Sequence, residues 1–215
     1  MLREPSTNVP VLRVVGIGAS AGGLDAIKQL LGAVPLDTGH AFVMLQHLAT
    51  GQGSQLAHVL EPTTSMKVVD ITTGERVIAN TVYVVPPGVS ASLFRGALVL
   101  PEPKGGKRPH LPIDALFESL AEVLAERAIG VVLSGTASDG TEGLRAIQAG
   151  GSVTLVQDPA TAQFDQMPRS AISSSSHYHA LATASSPSPP SPSMQSPSSR
   201  RSSTGFRPPR SKTRS

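Results

Sequence analysis

The chain of 215 residues contains no cysteine and no tryptophan. The missing cysteine excludes disulfide bonds, thiolate nucleophiles and cysteine-ligated zinc. Aromatic residues make up only 3% of the chain, too few for the stacking platforms that grip single-stranded nucleic acid. No apolar run approaches the roughly 20 residues that a membrane-spanning helix needs. Residues 1–10 are polar and lack the apolar core of a signal peptide, and the apolar run 11–17 is short and interrupted by Arg13. The chain is therefore expected to be soluble and cytoplasmic, without membrane insertion. Acidic residues are absent from 173–215, where Arg200, Arg201, Arg207, Arg210, Lys212 and Arg214 contribute +6, while the rest of the chain carries −3. The sequence pI of 9.6 thus belongs to the tail, and the front part has no electrostatic footprint for nucleic acid.

What is present alternates between β and α. The β-branched run 11–17 reads as a buried strand, and 22–31 follows with Leu24, Ile27, Leu30 and Leu31 at helical spacing. A second strand is expected at 41–45 and a short helix at 54–60. Residues 67–100 break into short extended pieces, with a hairpin turn at Arg95-Gly96, so they form a β-rich excursion. A Pro- and Gly-rich loop at 101–112 leads to a helix at 114–126, whose apolar face is Leu116, Phe117, Leu120, Val123 and Leu124. A strand at 129–133, a helix at 141–149 and a strand at 152–156 complete the pattern. Continuous apolar strands between helices predict an α/β fold: a doubly wound, mostly parallel sheet with helices on both faces. Residues 173–215 hold 16 Ser and 7 Pro with little apolar periodicity, which predicts a disordered tail behind a domain of 11–172.

Three loops follow the ends of predicted parallel strands, where open α/β sheets form their binding crevice. The first, Gly16-Ile17-Gly18-Ala19-Ser20-Ala21-Gly22-Gly23, has glycines on both sides of Ser20, as a strand-to-helix turn that exposes a nucleophile requires. The free N–H groups of the helix behind it would face developing negative charge. A structural turn with Ser20 as a helix cap fits the same residues. So does a dinucleotide fingerprint, because Gly16, Gly18 and Ala21 match its spacing; yet Gln46 and His47 stand where its ribose-binding carboxylate belongs. The second loop begins at His47, a candidate base for a serine hydroxyl and equally a polar surface residue. The third, Ser134-Gly135-Thr136-Ala137-Ser138-Asp139-Gly140, offers Asp139 either as the carboxylate that orients His47 or as a helix N-cap. Ser20, His47 and Asp139 together fit a triad on one rim of one sheet. No pair among His40, His58, His110, His177 and His179 has a metal-ligand spacing, so neither metal nor cofactor is expected.

The segments VVGIGASAGGLDAI at 14–27, QH at 46–47, YVVPPG at 83–88, LPIDALFESLAE at 111–122, GVVLSGTASDGTEGLRAI at 130–147 and TLVQDPATAQFDQMPRSAI at 154–172 resemble the catalytic domain of the chemotaxis protein-glutamate methylesterase, CheB. The likeness is closer to the esterase domain of methylesterase–methyltransferase (CheB/CheR) fusion proteins. It implies a carboxylic ester hydrolase with Ser20, His47 and Asp139 as catalytic triad and backbone N–H groups of the Ala21, Gly22 and Thr136 loops as oxyanion donors. It implies as substrate the glutamate methyl esters of bacterial chemoreceptors, with glutamine deamidation as a second reaction and a methyltransferase as a further partner.

The chain departs from that pattern in four places. Only about ten residues precede the first strand, so control through a receiver domain is expected to be missing. Ala21 replaces the frequent Thr or Ser after the nucleophile, and Ala137 stands where many members have Gly. After Ile172 the family continues with an apolar stretch and a last helix. The abrupt Ser/Pro/Arg-rich text found instead is what a frameshift would leave, and it predicts a domain short of its last element. Two other readings compete: a non-catalytic binding module of the same fold in chemosensory signalling, and a nucleotide-binding α/β domain.

Overall fold

The computed structural model describes residues 12–47, 55–101, 111–175 and 177–182. Among the described residues ten strands and five α-helices follow one another, of which α5 and β10 were not expected: β1 Arg13–Ala19, α1 Gly23–Ala33, β2 His40–Gln46, α2 Leu56–Leu60, β3 Lys67–Asp70, β4 Glu75–Arg76, β5 Thr81–Val84, β6 Ser92–Phe94, β7 Ala97–Val99, α3 Pro112–Leu124, β8 Ala128–Val132, α4 Thr141–Ala149, β9 Val153–Gln157, α5 Gln166–Ser174 and β10 His179–Leu181.

Seven strands form one sheet in the order β10-β9-β8-β1-β2-β5-β3, and every pairing in it is parallel. Side chains alternate between its two faces. Val15, Ile17, Phe42 and Met44 pack against Ile27 and Leu31 of α1 and Leu60 of α2. Val14, Val43 and Leu45 join Ile113, Phe117 and Leu120 of α3, Leu144 and Ile147 of α4 and Met167 of α5 on the other face. The fold is thus doubly wound. The β-rich excursion divides: β3 and β5 extend the parallel sheet, whereas β4, β7 and β6 make a small antiparallel one. The turn between β6 and β7 is the expected two-residue hairpin, with positive φ at both Arg95 and Gly96.

Two glycines decide how α3 lies on the sheet. A Cβ at Gly16 would come within 2.7 Å of Leu120, and one at Gly18 would collide with Ile113. Their bare backbones let α3 settle directly on β1. Pro112 opens the helix, where its missing N–H has no partner to lose.

The segment expected to be disordered begins with structure. α5 runs on to Ser174, and His179–Leu181 adds β10 to β9 in parallel register. The Leu181 carbonyl accepts from Asp158 N–H, and Gln148 Nε2 donates to the His177 carbonyl. Strand addition uses backbone groups that every residue carries, so low hydropathy does not prevent it. The rest of the tail, most of the Pro-rich loop including His110, and the first residue of the 54–60 helix lie outside the described residues.

Candidate active site

The sheet order reverses between β1 and β8, so the loops behind these strands, with the loop behind β2, flank the topological switch point. Ala19 pairs with Gln46, and His47 N–H donates to the Ala19 carbonyl at 2.9 Å. Ser20 and His47 are therefore the first residues beyond two paired strand ends. Ser20 N–H donates to the Ser134 carbonyl at 3.0 Å, which fastens the first loop to the third. Ser20 is 8% exposed, and its Oγ has no hydrogen-bond partner among the described residues.

Asp139 and His47 are brought into contact. His47 Nε2 lies 2.8 Å from Asp139 Oδ2, with the histidine side chain 32% exposed and the aspartate 2%. The approach falls short of a well-aligned hydrogen bond. Asp139 does not cap its own helix; α4 starts from Gly140, which makes no side-chain cap. Its carboxylate accepts instead from Ile113 N–H (Oδ2, 3.0 Å) and Asp114 N–H (Oδ1, 2.9 Å) in the first turn of α3. These are orphan donors of a helix N-terminus, and the two bonds fix the direction of the carboxylate. The close seat of α3 on Gly16 and Gly18 thus sets where Asp139 meets His47.

Ser20 is no helix cap either. Gly22 holds that position at φ 67°, packed against Gln163 and Phe164. Gly23 N–H donates to the Ser20 carbonyl, whereas among the described residues the N–H groups of Ala21, Gly22 and Thr136 have no acceptor. A positioned oxyanion would find its donors in that set. Thr136 is exposed, while Ala21 and Gly22 are half-buried.

Several further residues brace the site. Ser134 is fully buried; its Oγ donates to the Ala21 carbonyl at 2.9 Å and accepts from Phe164 N–H at 2.9 Å. Its N–H donates to buried Gln157 Oε1 at 2.7 Å. Gln46 Nε2 reaches the Ser20 carbonyl at 3.4 Å. A side chain at Gly135 would collide with Met167 and Ser20 Cβ, so α5 forms a wall beside the serine. Gln46, Ser134 and Gln157 each stand directly behind an apolar run, and that is the signal the sequence carries for them.

Ala137 occupies the left-handed region at φ 70°, a conformation that costs an L-residue roughly 1–2 kcal/mol. Ala137→Gly removes that strain but adds freedom to the unfolded chain. The expected net effect is stabilisation by roughly 0.5–1 kcal/mol, or a Tm rise of about 1–4 °C. A thermal melt with unchanged or lower Tm would contradict it.

A seven-stranded parallel sheet with helices on both faces, carrying a turn serine, a histidine and an aspartate on the loops at its reversal point, places the chain in the class of doubly wound α/β proteins. Its family follows from comparison with known sequences: the family model described as CheB methylesterase matches residues 15–187, and the chain belongs to that family. The match continues past 172 and takes in α5 and β10. A Leptospira interrogans protein provisionally named protein-glutamate methylesterase/protein-glutamine glutaminase is 36% identical over 163 residues, covering 74% of this chain and 83% of that protein. The Bordetella pertussis protein-glutamate methylesterase/protein-glutamine glutaminase is 35% identical over 178 residues, 80% of this chain and 49% of the relative. The crystal structure of the Thermotoga maritima CheB methylesterase catalytic domain superposes with a TM-score of 0.71 at 25% identity, covering 80% of this chain and 93% of that one. Among the described residues no helix is long and apolar enough to cross a membrane.

Proposed function

We propose that the chain hydrolyses glutamate methyl esters on methyl-accepting chemoreceptors, with Ser20 as nucleophile, His47 as base and Asp139 as its orienting carboxylate. The contact of His47 Nε2 with buried Asp139, one strand end away from Ser20, carries this reading. Asp139 holds the proton on Nε2, which leaves Nδ1 as the nitrogen that acts on Ser20. Ser20 Oγ attacks the ester carbonyl as its proton passes to His47. The N–H groups of Ala21 and Gly22, with Thr136, receive the oxyanion. His47 returns the proton to the leaving methoxide, and methanol departs. Water then attacks the acyl-enzyme, giving up a proton to His47, and Ser20 leaves with that proton as glutamate forms. With a glutamine side chain the same steps release ammonia.

Methanol release from a methylated chemoreceptor fragment tests the proposal, with wild type and Ser20→Ala side by side. Release by wild type alone is the expected result. No release from either, in protein shown by circular dichroism to be folded, would replace the esterase by a receptor-binding module of the same fold.

A further inference from the structure

Asp114 stands beside the proposed triad, and no step of the reaction uses it. It lies in the first turn of α3 and is 6% exposed. Its Oδ1 accepts from Gly143 N–H at 2.8 Å, in the first turn of α4. Its own N–H donates to Asp139 Oδ1. The two helices therefore cap each other: Asp139, just ahead of α4, takes the first-turn N–H groups of α3, and Asp114 of α3 takes one from α4. Neither helix has a side-chain cap at its own N-cap position. The helices also meet too closely there for an ordinary residue. A Cβ at Gly143 would lie 2.5 Å from Phe117 Cβ and 3.0 Å from the Asp114 carbonyl oxygen.

This exchange bears directly on the reacting groups. Asp139 is separated from α4 only by Gly140, so the start of α4 determines where Asp139 begins. We propose that Asp114 is a positioning residue for Asp139 and, through it, for His47; this rests on the triad reading above. The residue holds its place against an electrostatic cost. Burial, and then the charge of Asp139, push its carboxyl up to about 6, against the Gly143 N–H that favours the ion. Perturbed carboxylates of this kind concentrate at functional sites.

Steady-state hydrolysis of the methylated receptor fragment by the full chain tests it, with Asp114→Ala, Asp114→Asn and Asp114→Glu. Removing the acceptor should lower kcat by about 10–100-fold with KM within about twofold, the penalty of a small misplacement in a catalytic group. Asparagine keeps an oxygen for Gly143 and should restore kcat to within about threefold. Glutamate keeps the charge on a longer arm and should lose about tenfold in kcat. Wild-type kcat in the folded alanine or glutamate variant overturns the proposal, as does an asparagine variant as slow as alanine. If alanine does not fold, the other two substitutions still decide. If wild type itself has no esterase activity, the triad reading fails while this proposal remains testable through the His47 imidazole proton resonance. That resonance should move toward the free-imidazole position in Asp114→Ala or Asp114→Glu but not in Asp114→Asn, and an unmoved resonance in both overturns it.

Discussion

Replacing Ser20 with alanine is expected to lower methyl-ester hydrolysis by on the order of 10⁴–10⁶-fold, and replacing His47 in the same protein to lower it little further. A hydroxyl is a weak nucleophile until a base takes its proton, and a base without a nucleophile has nothing to activate. The two side chains are thus proposed to fail as one unit. Asp139→Ala should lose somewhat less activity, since neutral His47 can still accept a proton in a poorer orientation. It should lose stability as well, because Ile113 and Asp114 N–H groups would be buried without their acceptor, at about 1–3 kcal/mol for each group left unsatisfied. Methanol release and urea unfolding, measured on the three single variants and the Ser20/His47 double variant, separate these effects. Losses that add logarithmically in the double variant would show that Ser20 and His47 do not act together.

That Ser20, His47 and the Asp139 loop stand at neighbouring strand ends was legible because parallel strands advertise themselves as continuous apolar runs, and a parallel sheet puts all its C-terminal ends on one rim. The glycines around Ser20 were legible as a requirement and ambiguous as to cause. A turn, a dinucleotide site and close packing all ask for glycine. Gly16 and Gly18 prove to be spaces for Leu120, Phe117 and Ile113 of α3, so the spacing that mimics a nucleotide fingerprint is accounted for by helix packing. The two helix-cap readings failed for a common reason. Ser20 and Asp139 each precede a helix in sequence, but glycine occupies both cap positions, and Asp139 serves a different helix 25 residues away. Capping across elements has no local signal. The same holds for Ser134, Gln157 and Asp114, whose partners are set by tertiary packing. β10 was hidden because an edge strand added through its backbone needs no hydrophobic alternation.

Asp114→Asn is expected to stabilise the protein at pH 8 and to leave its stability at pH 4 close to that of wild type. The carboxyl of Asp114 is pushed up in the folded chain to about 6, from 3.8, chiefly by burial. The native state therefore holds a proton that the unfolded chain releases between these values. Stability from this group is complete below about pH 4 and is lost as the pH rises through 6, where the buried group must ionise beside Asp139. The displacement corresponds to on the order of 2–3 kcal/mol at neutral pH. Asparagine keeps an acceptor for Gly143 N–H and never ionises, so it escapes that loss. Urea unfolding of both proteins across pH 4–8 should give curves that coincide at the acid end and diverge above pH 5, with asparagine the more stable. Parallel curves would mean that Asp114 is not the group that titrates. Activity near the wild-type level in that stabilised variant would show that the helix junction needs the oxygen facing Gly143, and that the charge is dispensable to the chemistry.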